Sequence, residues 1–355
     1  MQAAGIRVSF DVLRDFMDRA FTKAGLPAAD ARAVATLMAE AEMQGSDGHG
    51  AIRLAPYLRR IREGGVNKTP NIRIEREKAA TALVHGDNGM GHLVMTFAAE
   101  LAVKKARESG VAWVGAHLSN HAGPASLYAR MALPHDMIGL YLAVGNANHL
   151  PAWGGLTMLL STNPIACAIP TAEEPPVVLD MATTVAAYGK VKARAQRGET
   201  MPEGWMVDRE GKPLLDPKRA AEGFLLPIGG HKGYGLALII GLLAGTLNGA
   251  AMGKDVIDFN ADFTSVGNTG QAICAIDPSA FGDLDEFKRA VDGVVRDLRA
   301  SERMPGVERI WMPGEQSHEK REAWRAGGIP IPPTLKTVLD GIAADMGLAP
   351  LDTLA

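Results

Sequence analysis

A mixed α/β fold, with a helical module built from both ends of the chain, is predicted by three observations. The first 65 residues carry helical periodicity, short β-rich runs alternate with helices from about residue 72, and helical patterning returns at 284–302 and 333–347. The 355 residues and 47% hydrophobic content suit about two domains with cores of their own. We therefore expect a helical domain at 1–70, joined by the C-terminal helices of 284–355, and an α/β domain at 71–283.

Along the chain, Ser9 is placed to N-cap FDVLRDFMDRAFTKA, whose Phe10, Leu13, Phe16, Met17 and Phe21 form one apolar face before Gly25 ends it. Pro27 opens a second helix through DARAVATLMAEAEMQ, which breaks at GSDGHG, and AIRLAPYLRRIRE resumes until Gly64-Gly65. Strands are expected at IRIER, ATALVHG, VAWVGAH, MIGLYLAVG, IACAIP and PVVLDMA, with helices from about Met90 to Glu108, near SLYARMAL and near VAAYGKVKARAQ. A Pro/Gly-rich loop, MPEGWMVDREGKPLLDP, leads to Gly233–Gly253, a 21-residue stretch without a charge. That length reaches a membrane span. Leu236, Ile239, Ile240, Leu243 and Leu247 follow helical spacing, while Ala237, Gly241, Gly245, Gly249 and Gly253 make a second ridge that permits close backbone approach. A solitary span in a chain of mean hydropathy +0.01 favours a buried helix of a non-membrane protein.

Thirty-seven Lys+Arg against 40 Asp+Glu give a net charge of −3, which offers no electrostatic basis for nucleic-acid binding. The two cysteines, Cys167 and Cys274, have no partner at metal-ligand spacing, so no zinc site or disulfide framework is expected. A reducing, cytoplasmic compartment fits, and the start MQAAGIRVSFDVL has neither the basic residues nor the apolar run of a secretion signal.

No G-x-G-x-x-G links a strand to a helix, so any dinucleotide is expected on an architecture other than Rossmann. GGHKGYG at 229–235 precedes a helix. Its backbone N–H groups with Lys232 could take a pyrophosphate, or its glycines could simply make a tight turn. SDGHGAIRL sets His49 four residues before Arg53, a proton carrier beside a carboxylate-binding fork, or else a capping histidine and a solvated arginine. His121 in SNHAGPA follows a strand, where loops carry catalytic groups. Asp180, with Thr183 and Thr184 in VLDMATTVAAYGK, could orient a histidine and bind a ligand, or could N-cap a helix. His85, His92, His117, His135, His149 and His318 lack such company.

Read together and in order, SDGHGAIRL, SNHAGPA, PAWGG, STNPIACAIP, VLDMATTVAAYGK, LPIGGHKGYGLAL and MPGE resemble blocks of the type-2 malate/L-lactate dehydrogenases across nearly the whole chain. The resemblance implies a non-Rossmann nicotinamide-binding sheet domain, NAD or NADP as cofactor, and a homodimer. It further implies interconversion of a 2-oxo acid, or a cyclic imino acid, with the 2-hydroxy or 2-amino acid. By the same resemblance His49 and His121 compete as proton donor, Asp180 supports one of them, and Arg53 holds the substrate carboxylate. Thr162, Asn163, Pro164, Asp180, Met181, Ala182, Thr183, Thr184, His231, Lys232, Gly314 and Glu315 match cofactor positions. Lys192 and Arg194 are candidates for a 2′-phosphate. Three departures affect the pocket: Gly48 replaces a common serine, Gln44 a common arginine, and Ala122 an often bulky residue. The loss of the serine also admits a nucleotide-binding homologue without turnover.

Overall fold

The computed structural model describes residues 5–46 and 48–351. It opens with strand β1 (Ile6–Val8) and helices α1 (Phe10–Ala24), α2 (Ala28–Met43) and α3 (Leu54–Glu63). The local signals act as expected in α1: Ser9 Oγ accepts the Val12 N–H at 3.2 Å, and Gly25, at φ +103°, stops the helix. Strands β2 (Arg73–Lys78) and β3 (Thr81–Gly89) lead to α4 (Gly91–Ser109), β4 (Val111–Ser119), the short α5 (Ser126–Ala129) and β5 (Ile138–Ala143). Next come β6 (Leu150–Pro151), β7 (Met158–Leu160), β8 (Ile165–Ile169), β9 (Val177–Met181), α6 (Tyr188–Arg197), β10 (Met206–Asp208) and β11 (Gly223–Leu225). The chain closes with α7 (His231–Ala244), β12 (Gln271–Ile276), α8 (Leu284–Ala300), α9 (Glu315–Gly327), β13 (Ile329–Ile331) and α10 (Pro333–Met346).

Seven strands form one sheet in the order β2-β3-β4-β12-β5-β8-β9, parallel only between β3 and β4. β12, absent from the sequence reading, is the central strand and pairs antiparallel with both β4 and β5. It is covered on both sides, by α4 on one face and by α7 on the other, so its side chains are buried without alternation. A separate core is made by α1, α2, α3, β13 and α10, and it is tied across the whole chain by antiparallel pairing of β1 with β13. The segment 284–300, grouped in the sequence with the C-terminal helices, instead meets the sheet: Asp292 of α8 accepts backbone N–H groups of Ala172 and Glu173 in the β8–β9 turn.

The uncharged 233–253 stretch corrects the expectation of one long buried helix. α7 stops at Ala244, where Gly245 leaves helical geometry, and no helix among the described residues is long and apolar enough to cross a membrane. Gly233, Ala237, Gly241 and Ala244 pack inward, whereas Ile239 and Leu247 stand 53% and 63% exposed. The small ridge permits the close approach. Of the large residues, Ile240 is buried beside that ridge, whereas Ile239, Leu242, Leu243 and Leu247 face out.

Candidate functional site

The loop carrying His121 leaves β4 and is held rigidly. A Cβ at Gly91 would lie 2.1 Å from the Asn120 carbonyl oxygen, so only glycine lets α4 begin against this loop. Asn120 donates to the carbonyls of Asn88 and Gly89, each at 3.0 Å, and accepts from Arg60 at 3.2 Å. On the facing side, Glu42 of α2 accepts the Ala51 N–H at 2.7 Å and so fixes the turn bearing His49. The His49 and His121 rings stack with centroids 5.5 Å apart and planes within 3°.

Tyr57 of α3 completes the cluster, its Oη 2.5 Å from His121 Nδ1. The Gly123 N–H points at the same nitrogen from 3.3 Å, so the neutral ring accepts at Nδ1 and carries its hydrogen on Nε2. Phe259 lies 5.7 Å from the His121 ring, and His92 packs edge-on to Tyr57 at 5.6 Å with no partner among the described residues for either ring nitrogen. Arg53 donates Nε–H to the Gly48 carbonyl at 2.7 Å, and among the described residues no carboxylate lies within ion-pair distance of it. Burial, reinforced by the Arg53 charge, lowers His49 to about 4 and holds His121 well below the usual imidazole range. Burial lowers His92 to about 3 and raises the Tyr57 phenol, so the cluster is uncharged at neutral pH apart from Arg53. An unpaired guanidinium beside neutral imidazoles suits an anionic substrate that exchanges a proton.

The expected cofactor segments meet one another. Thr183 gives both its N–H and its hydroxyl to the Thr162 carbonyl at 2.9 Å, and the Ile228 N–H donates to the Thr183 carbonyl at 3.0 Å. Asn163 donates to the Ala237 carbonyl at 2.8 Å, and the Pro164 carbonyl takes the Ala143 N–H at 3.3 Å. Residues 162–164, the Met181-Ala182-Thr183-Thr184 turn and the start of α7 are thereby joined. α7 begins without a side-chain cap after Gly229 and Gly230, at φ +57° and +65°, and a Cβ at Gly229 would meet nothing within 4 Å. With Lys232 and His231 exposed beside these free N–H groups, the residues fit a pyrophosphate.

Three expected residues are employed differently. Asp180 accepts the Ser126 N–H at 2.8 Å rather than a histidine hydrogen, and Gln44 reaches the Ser126 hydroxyl at 3.2 Å, so Asp180 links β9 to the end of α2. Gly314 is pressed on the Val178 backbone, and Glu315 is engaged by Arg299, Arg309 and the Met312 N–H. Those contacts pin α9 to the sheet edge. Of the residues the sequence reading missed, Tyr57 had a signal: His49, Arg53 and Tyr57 recur every fourth residue. His92 had none, since it reads as one more position of an apolar helix.

A buried proton-exchanging cluster beside a free arginine, together with an uncapped helix start in a domain whose sheet lacks the Rossmann order, suits a nicotinamide-type oxidoreductase of small carboxylic acids. The chain belongs to the malate/L-lactate dehydrogenase family, whose sequence profile matches residues 8–340. Membership implies a nicotinamide cofactor. It is 38% identical to malate dehydrogenase of Pyrococcus horikoshii over 355 residues, covering 97% of this chain and 96% of that protein. It is also 38% identical to L-sulfolactate dehydrogenase of Methanothermobacter thermautotrophicus, covering 92% and 93%. The crystal structure of malate dehydrogenase from Entamoeba histolytica superposes with a TM-score of 0.93 at 29% identity, covering 97% of this chain and 99% of that one.

Proposed function

We propose that the chain is an NAD(P)-dependent oxidoreductase interconverting a small 2-oxo acid, or a cyclic 2-imino acid, with its 2-hydroxy or 2-amino counterpart. The observation that carries this reading is the Tyr57–His121 bond beside an unpaired Arg53. Arg53 forks the substrate C1 carboxylate. A nicotinamide cofactor, its pyrophosphate held at the start of α7, would supply or remove the hydride at the substrate C2.

His121 handles the proton. A phenol can stand on either side of its bond: Tyr57 donates to Nδ1 when Nε2 carries the hydrogen, and accepts from Nδ1–H when Nε2 is free. For oxidation the ring takes its Nδ1–H tautomer, donating to Tyr57 Oη, so that the freed Nε2 takes the hydroxyl proton and the ring becomes charged. In reduction the charged ring returns that proton to the carbonyl oxygen. Burial is the main reason His121 stays neutral, and the Arg53 charge adds to it; a carboxylate on Arg53 removes that second contribution, so substrate binding raises the ring's affinity for a proton. His49, stacked flat on His121, holds the ring plane.

The test is oxidation of NADH and NADPH by the purified chain with oxaloacetate, pyruvate, 2-oxoglutarate, a diketo sugar acid and cyclic pyrroline- and piperideine-2-carboxylates. Turnover with one of them is expected. Coenzyme binding with no turnover anywhere would favour the nucleotide-binding reading instead. The substrate is a small carboxylate, and the free thiols Cys167 and Cys274 suit a cytoplasmic setting.

We assign the outward apolar face of α7 to a second copy of the chain. Ile239, Leu242, Leu243 and, just beyond the helix, Leu247 are all exposed. Light scattering should give twice 37.6 kDa, and Leu243→Asp should shift it toward the single-chain mass. A wild-type monomer at micromolar concentration would refute the assignment.

A further inference from the structure

We infer that His92 is a positioning residue of the proton-transfer cluster: its ring accepts, through one bridging water, the Tyr57 hydroxyl hydrogen whenever His121 Nδ1–H donates to that phenol. The inference rests on the proposed oxidoreductase reading and deepens it by one residue.

A phenol has one hydrogen to give and can also accept one. While the neutral His121 ring carries its hydrogen on Nε2, Tyr57 gives its own to Nδ1 across 2.5 Å. Once Nδ1 carries a hydrogen, as in the tautomer needed for oxidation and in the charged ring, Tyr57 Oη becomes the acceptor and its hydrogen needs another destination. Among the described residues that hydroxyl has no second hydrogen-bond partner, and the Gly123 N–H that points at His121 Nδ1 is itself a donor.

His92 stands against both Tyr57 and Gly123. It is the second residue of α4, whose start is pressed on the His121 loop at Gly91. Its ring meets Tyr57 edge-on, with centroids 5.6 Å apart and planes at 83°. A Cβ at Gly123 would lie 3.2 Å from His92 Nε2, so the ring backs directly on the residue whose N–H points at His121. The side chain is fully buried, and neither ring nitrogen has a hydrogen-bond partner among the described residues. Burial above all keeps the ring neutral, so it offers one N–H and one bare nitrogen. Buried polar atoms are rarely left unpaired, and a water between the bare nitrogen and the Tyr57 hydroxyl has the two partners an enclosed water requires. A phenylalanine would pack on Tyr57 without offering an acceptor. His92 therefore acts through the phenol, and the phenol through His121.

The experiment compares wild type, His92→Phe, His92→Gln, Tyr57→Phe and the Tyr57→Phe/His92→Phe pair, in oxidation of the product of whichever panel substrate is reduced. In His92→Phe, kcat should fall about 5- to 50-fold with KM within about twofold, and His92→Gln, which restores an acceptor, should recover most of the loss. In the Tyr57→Phe background the His92→Phe change should shrink to less than about twofold, because the hydroxyl is gone while the ring that His92 packs on remains. An equal loss in both backgrounds would assign His92 to packing alone and overturns the inference, as does an unchanged kcat in His92→Phe. Nitrogen NMR spectra of isotope-labelled histidines need no turnover and no His92 variant. The bare nitrogen of His92 should shift when Tyr57→Phe removes the hydroxyl, and an unmoved resonance overturns the inference. If no panel member is turned over, the oxidoreductase reading fails by itself, and these spectra still decide for or against the link between Tyr57 and His92.

Discussion

Replacing His121 by alanine is expected to lower kcat by about 10²- to 10⁴-fold, the usual range for losing a general acid or base. His49→Ala should cost less, because its ring supports His121 by stacking and no phenol is bonded to it. Tyr57→Phe should fall between them, since His121 keeps only the Gly123 N–H at 3.3 Å to set its tautomer. The pH profile gives a second readout. Burial and Arg53 depress His121, so the free enzyme already holds the base form at neutral pH. Hydroxy-acid oxidation, as kcat/KM, should be flat above about pH 6.5 and decline only below it as the ring protonates. The same depression makes the fold acid-sensitive. Between the unfolded pKa of about 6.5 and the folded values of about 4 for His49 and 3 for His92, the unfolded chain binds more protons. Stability is thus complete above that window and is lost as pH falls through it. If neither histidine variant lowers turnover tenfold, the proton-transfer assignment is wrong.

What the sequence discloses here follows how local each determinant is. α1 is legible to the residue because Ser9 and Gly25 cap it and its apolar stripe is regular. β12 is not, because QAICAI is buried on both faces and shows no alternation, and its partners lie 128 to 165 residues earlier in the chain. α9, EQSHEKREAWRAG, was missed because most of its residues are polar and no apolar stripe marks it as a helix. The β1–β13 pair joins three-residue runs over 320 residues apart, which no window can see. The same distinction divides the site. His49 and His121 stand in recognisable blocks, whereas Phe259 and His92 reach it only through tertiary packing. Glu315 shows the reverse case: its MPGE block is conspicuous, but Arg299 and Arg309, brought in by folding, decide what its carboxylate does.

Arg60→Met is expected to destabilise the fold by about 3 kcal/mol or more, and to slow turnover in the molecules that remain folded. Arg60 is only 1% exposed, at the join between the helical core and the His121 loop. Its guanidinium donates to the carbonyls of Gly65 at 2.9 Å, Ser265 at 2.8 Å and Asp262, and to the Asn120 side-chain oxygen at 3.2 Å. It also lies over the Phe259 ring at 4.7 Å. Methionine fills the volume but leaves several buried acceptors with nothing to accept, at about 1–3 kcal/mol for each that water cannot reach. Those acceptors belong to the 262–265 loop and to Asn120, the neighbour of His121, so the loss extends into the site. Arg60→Lys keeps the charge and loses the planar fork, and it should recover only part of either effect. Urea unfolding and kcat measured on the same preparations test both parts. A midpoint shift equivalent to less than about 0.5 kcal/mol for Arg60→Met, the size of an ordinary surface substitution, would show that water satisfies these carbonyls and that Arg60 does not hold the loop.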